Sequence, residues 1–159
     1  MNTVCSGPLA IETTRFGRIE VEQDLVITLP GGLIGFEDCQ RFVVVNHGEG
    51  SPLKWLQSLD DGSLAFPVMD PWLFMPDYAP VLSSTDAAIL ELTDDTPRLV
   101  FAVLTIPRNN PRAMTANLLG PIVVNAVTRR GMQVVLTDDR YGTRHEVLST
   151  LTALAGKAA

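Results

Sequence analysis

Two histidines, His47 and His145, and two cysteines, Cys5 and Cys39, are the side chains best suited to holding a metal or carrying a nucleophile. His145-Glu146 opens like a zinc-protease helix, but Ser149 stands where the second histidine would have to be, so the motif is half present. Neither cysteine has a metal-ligand spacing or a histidine partner in sequence, and both read as reduced thiols. Gly31-Gly32-Leu33-Ile34-Gly35 is glycine-rich after a strand-like run, yet it lacks the Lys-Ser/Thr of a phosphate loop and leads into more β-like sequence. It reads as a turn. Three carboxylate doublets, Asp60-Asp61, Asp94-Asp95 and Asp138-Asp139, are of the residue type that pairs for acid–base work. Neighbours on a strand face opposite ways, however, and each doublet sits beside turn residues whose amides Asp commonly binds. Solvated turn acids outweigh catalysis, and neither an enzyme nor a cofactor or metal site is expected.

The distribution of charge says more than the net −6. Between Trp55 and Pro97 lie eight acids (Asp60, Asp61, Asp70, Asp77, Asp86, Glu91, Asp94, Asp95) and no Lys, Arg or His. A nucleic-acid binder normally shows the reverse, a basic face that neutralises phosphates. A basic protein partner fits this segment, and so does acid kept for solubility. Within it, Asp70-Pro-Trp-Leu-Phe-Met-Pro-Asp-Tyr78 sets large apolar side chains between prolines and acids. Two prolines argue against a central strand. The stretch either covers the open end of a barrel or offers a partner an acid-rimmed apolar patch.

The elements that must position these groups are short β-prone runs broken by turn residues. The runs span residues 15–21, 24–29, 41–46, 53–59, 63–69, 98–106, 121–129 and 132–137, and Pro30-Gly31-Gly32 and Arg130-Gly131 are among the breakers. Many short strands with frequent turns predict a small, mainly β, antiparallel barrel-like single domain. One or two short helices complete it. Residues 84–92 form a turn capped by Thr85, and residues 146–155 carry leucines at three-residue spacing ahead of Gly156. Alternation of Leu53, Trp55, Gln57 and Leu59 favours a core role for Trp55. At 159 residues the chain fits one domain: an arm over 1–13, the barrel over 14–148 and an Ala-rich tail over 149–159. The longest apolar stretch, residues 99–104, is far below the roughly 20 that cross a bilayer. The N-terminus does not read as a secretory signal, so a cytoplasmic location without membrane attachment is expected.

Along nearly its whole length, from about Thr14 to Leu148, the chain resembles the bacterial flagellar assembly factor FliW family. The matching segments are Phe16-Gly-Arg-Ile-Glu-Val21, Leu29-Pro-Gly-Gly-Leu-Ile-Gly-Phe36, Trp55-Leu-Gln-Ser58 and Leu64-Ala-Phe66. They continue through the stretch from Asp70 to Tyr78, Thr115-Ala-Asn-Leu118, Pro121-Ile-Val-Val-Asn125, Gln133-Val-Val-Leu136 and Tyr141-Gly-Thr-Arg-His145. The resemblance implies a non-catalytic β-barrel-like protein that binds the RNA-binding translational repressor CsrA, relieving repression of flagellin mRNA. It also implies binding of unsecreted flagellin, as a chaperone or partner switch. Asp70, Trp72, Phe74, Met75, Asp77, Tyr78, Asn117 and Asn125 are the partner-binding candidates, with a structural role for Asn125 equally open. The tail carries no motif that can be transferred. The alternative from another class, a flavin-binding split barrel, would need phosphate-binding cations, and here only Arg129-Arg130 are adjacent.

Overall fold

The β-prone runs assemble into strands in a computed structural model that describes residues 8–48 and 50–148. An N-terminal hairpin joins β1 (Leu9–Thr13) to β2 (Gly17–Val21). Gly17 supplies the positive φ its turn needs, and Thr13 Oγ1 both donates to Gly17 O (2.7 Å) and accepts from Phe16 N (2.9 Å). The hairpin lays Ile11, Ile19 and Val21 against Val43 and Leu59.

The main sheet comprises β3 (Ile27–Thr28), β4 (Arg41–Asn46), β5 (Lys54–Ser58), β6 (Ala65–Met69), β7 (Arg98–Thr105), β8 (Thr115–Asn125), β9 (Gly131–Gln133) and β10 (His145–Glu146). Its order is β10-β8-β7-β6-β5-β4-β3, antiparallel throughout, with β9 also on β8. Thr28 N donates to Arg129 O (2.9 Å), which brings β3 back to the β8–β9 turn and nearly closes the barrel. The mainly β, barrel-like expectation holds, with one short α-helix among the described residues, α1 (Ser84–Ile89). Ser83 rather than Thr85 caps α1: its backbone is still extended, and its side chain accepts from Asp86 N (3.1 Å). The helix expected over residues 146–155 lies largely outside the described residues, and Glu146 within it ends β10.

The apolar run of β7 is unbroken because the strand is buried on both faces. Phe101 joins Ile27, Phe42, Leu56, Ile122 and Val124 in one core. Val100, Ala102 and Leu104 join Phe74, Tyr78, Leu118 and Val134 in another. β8 begins at Thr115, not at Pro121. The β7–β8 register jumps from Phe101↔Ile122 to Val103↔Asn117, so residues 118–121 bulge and the missing proline N–H is tolerated. Asn117 Oδ1 accepts from Leu119 N (3.0 Å) and Gly120 N (2.8 Å) and holds that bulge. Gln57, fully buried, donates to the carbonyls of Ser58, Gly62 and Leu64 and fixes the β5–β6 turn.

Asp60 ties that turn to β4: its carboxylate accepts from Gln40 N (2.8 Å) and Arg41 N (2.9 Å) and pairs with the Arg41 guanidinium (3.1 Å). Burial pushes the Asp60 carboxyl up, but the two amides and the guanidinium outweigh it and hold it below the ordinary aspartate value. A lowered folded value stabilises fully above the unfolded value of about 3.9 and is lost as pH falls through the folded one. Asp60→Asn should therefore reduce stability near neutrality by about 1 kcal/mol. Chemical denaturation at pH 7 and pH 3 checks this. The gap between wild type and variant must shrink in acid, and a gap of constant size would refute the assignment.

Candidate functional site

Residues 70–78 build the candidate surface through a single turn of 3-10 helix, Pro71–Leu73. Asp70 caps it by accepting from Trp72 N (2.9 Å), and Pro71 fits the first position because no N–H is needed there. A 3-10 turn has about three residues per turn, so successive side chains point in different directions. Trp72 and Leu73 face solvent, 39% and 44% exposed, whereas Phe74 is fully buried. Asp70, Pro76 and Asp77 are exposed, and Met75 is half-buried.

The inward side chains hold the loop down. Phe74 stacks on His145 with ring centroids 5.7 Å apart. The Trp72 indole donates to Tyr78 O (2.8 Å), and the Tyr78 hydroxyl donates to Leu118 O (2.6 Å). Tyr141 meets Tyr78 edge-on at 4.7 Å, and its hydroxyl accepts from Ala79 N (2.8 Å). Burial, reinforced by Tyr141, pushes the Tyr78 phenol well above its ordinary value, so it stays a hydrogen-bond donor at all physiological pH. Asn125, also buried, donates to Leu90 O (2.8 Å) and accepts from Val127 N (2.9 Å) and Thr128 N (3.2 Å). Of the eight candidate residues, Asp70, Trp72 and Asp77 thus reach the surface together, Phe74 and Tyr78 support it from within and Met75 is half-buried beside them, while Asn125 lies apart at the end of α1. Asn117 sits apart, in the β8 bulge.

Folding redistributes the acid-rich segment. Lys54 and Arg98, just outside the cation-free window, line a small cleft with Asp70 and Trp72. Among the described residues, Asp60 is the one acid of that window in an ion pair. Asp86, Glu91, Asp94 and Asp95 remain on α1 and the turn after it. Cross-strand neighbours of this kind cannot be read from a linear charge count.

Residues 10–147 match the family model described as "FliW protein". The chain belongs to the FliW family. The flagellar assembly factor FliW of Leptospira biflexa is 34% identical over 149 residues, covering 94% of this chain and 97% of that protein. Its counterpart in Syntrophus aciditrophicus is 38% identical over 148 residues, covering 93% of each. A crystal structure of the flagellar assembly factor FliW superposes with a TM-score of 0.79 at 29% identity, over 87% of this chain and 96% of that one. The FliW match takes in the whole 70–78 surface, α1 and the bulge held by Asn117. No helix among the described residues is long and apolar enough to cross a membrane.

Proposed function

We propose that this chain is a cytoplasmic, non-catalytic flagellar assembly factor that binds a CsrA-type repressor and unsecreted flagellin, and so works as a partner switch. The observation that carries the reading is the family match over residues 10–147. The charge layout supports it: a basic RNA-binding repressor is attracted to the unpaired acids of α1 and the following turn. The apolar faces of Trp72 and Leu73, rimmed by Asp70 and Asp77, suit the apolar side of an amphipathic flagellin segment. Phe74, Met75 and Tyr78 then act by fixing that surface, and Asn125 by anchoring α1.

Sequestration and catalysis differ in stoichiometry. Titrating the protein into repressor bound to flagellin mRNA should release RNA with a break near an equimolar ratio. Free flagellin should then restore repression. Asp94→Asn with Asp95→Asn should slow association at low salt, a difference that disappears as ionic strength rises. Complete release far below equimolar, persisting once the protein is withdrawn, would overturn the switch.

A further inference from the structure

β6 and β7 part company halfway along. They pair at Val68↔Val103 and Met69↔Ala102 and no further, because Pro67 has no N–H to offer. Ala65 and Pro67 remain paired to β5, and Leu104 and Thr105 to β8. The edge of β7 beyond Val103 is thereby left without a strand on its β6 side. The gap opens into a groove of about 670 Å³ whose floor includes Ala65, Pro67 and Leu104. Leu53, Ile106 and Met114, each partly buried against the core, make its sides apolar.

Nitrogen donors from three separate loops converge on its rim: the Arg15 guanidinium from the β1–β2 turn, the His47 imidazole from the β4–β5 loop and the Arg108 guanidinium from the β7–β8 loop. Among the described residues no carboxylate lines it, in a chain of net charge −6. The Arg15 guanidinium lies 3.9 Å from the Trp55 ring centroid, and its hydrogen-bonding capacity is unused among the described residues, as is that of Arg108. The Trp55 indole donates to His47 Nδ1 (3.1 Å). With Nδ1 accepting, the neutral ring carries its proton on Nε2 and offers a further donor.

We infer that this groove is a second interaction site, one that takes an extended acidic peptide segment of a partner protein between β6 and β7. A strand fits because the unpaired edge of β7 offers backbone donors and acceptors in register with one. Alternating side chains of such a strand would place apolar groups on the floor and carboxylates on Arg15, Arg108 and His47. A single-stranded nucleic acid fits poorly. Trp55 is only 8% exposed beneath Arg15, so no ring is free for bases to stack on. The site is distinct from the 70–78 surface and stands independently of the switch proposed above.

The test uses the full chain and a short labelled peptide of alternating glutamate and valine, with its glutamine–valine analogue and a labelled single-stranded RNA as controls. The protein has two tryptophans, so two indole N–H resonances report separately on the groove and on the 70–78 loop. The acidic peptide should bind and shift the Trp55 resonance while leaving that of Trp72 in place. Arg15→Gln and Arg108→Gln should each weaken binding by about tenfold or more, as expected for loss of a charge-assisted hydrogen bond. Arg18→Gln, outside the groove, should not. Equal binding of the glutamine analogue, unchanged affinity in both arginine variants, or capture of RNA in place of peptide would each overturn the inference.

Discussion

Phe74→Ala is expected to destabilise the fold by about 3–5 kcal/mol, the range found when a large aromatic is removed from a packed core. Phe74 is fully buried, stacks on His145 and shares a cluster with Met69, Tyr78, Leu118 and Val147. Those neighbours come from a strand, a loop, the β8 bulge and the end of the described chain, so they cannot collapse together into the cavity. The adjacent Leu73 is 44% exposed, and Leu73→Ala should change stability by no more than about 0.5 kcal/mol. Urea unfolding of the two variants provides the comparison. If the two losses were equal, the inward placement of Phe74 would be wrong. In partner-binding assays the pair separates two kinds of failure. Phe74→Ala loses binding in proportion to lost folded protein, whereas Leu73→Ala loses it with the fold intact.

That difference between adjacent residues marks where the sequence could be read and where it could not. The antiparallel architecture was legible because turn residues punctuate runs of β-branched and aromatic side chains, and β4 follows the run over 41–46 residue for residue. The 70–78 loop could be recognised as unusual, but not sorted into inside and outside. Its Asp70-capped 3-10 turn follows neither the strand period nor that of an α-helix. The run read over residues 121–129 extends back to Thr115 in β8, and the bulge that absorbs Pro121 depends on Asn117, four residues earlier. The cation-free window was real along the chain and dissolved in space, where Arg41 pairs with Asp60 and Lys54 and Arg98 flank Asp70. The cationic groove was invisible for the same reason. Arg15, His47, Trp55 and Arg108 have no shared motif, and only the packing of the N-terminal hairpin and the pairing of β4 through β7 bring them together.

Asn125→Ala should cost about 3 kcal/mol, since three backbone groups lose a buried partner at once, each worth on the order of 1 kcal/mol or more. Its amide nitrogen binds Leu90 O at the end of α1, and its oxygen binds the amides of Val127 and Thr128 in the turn leading to β9. One side chain thus pins the acidic helix to the barrel beside the turn that closes it, and Glu91, which follows Leu90 with φ of 55°, depends on that anchor. Asn125→Asp separates the two halves of the role. Its carboxylate can still accept from the turn amides, but when ionised it sets a second oxygen against Leu90 O. When protonated it can donate there as the amide does. The aspartate variant should therefore be markedly destabilised at pH 7 and recover part of the loss as pH falls toward 4.5, because burial favours its neutral form. The alanine variant should show no such recovery. Denaturation of both variants at the two pH values decides the matter, and parallel behaviour would show that Asn125 does not tie α1 through its amide. Where α1 is released, the acids at Asp86, Glu91, Asp94 and Asp95 lose their fixed arrangement, and association with a basic partner should slow even in the protein that remains folded.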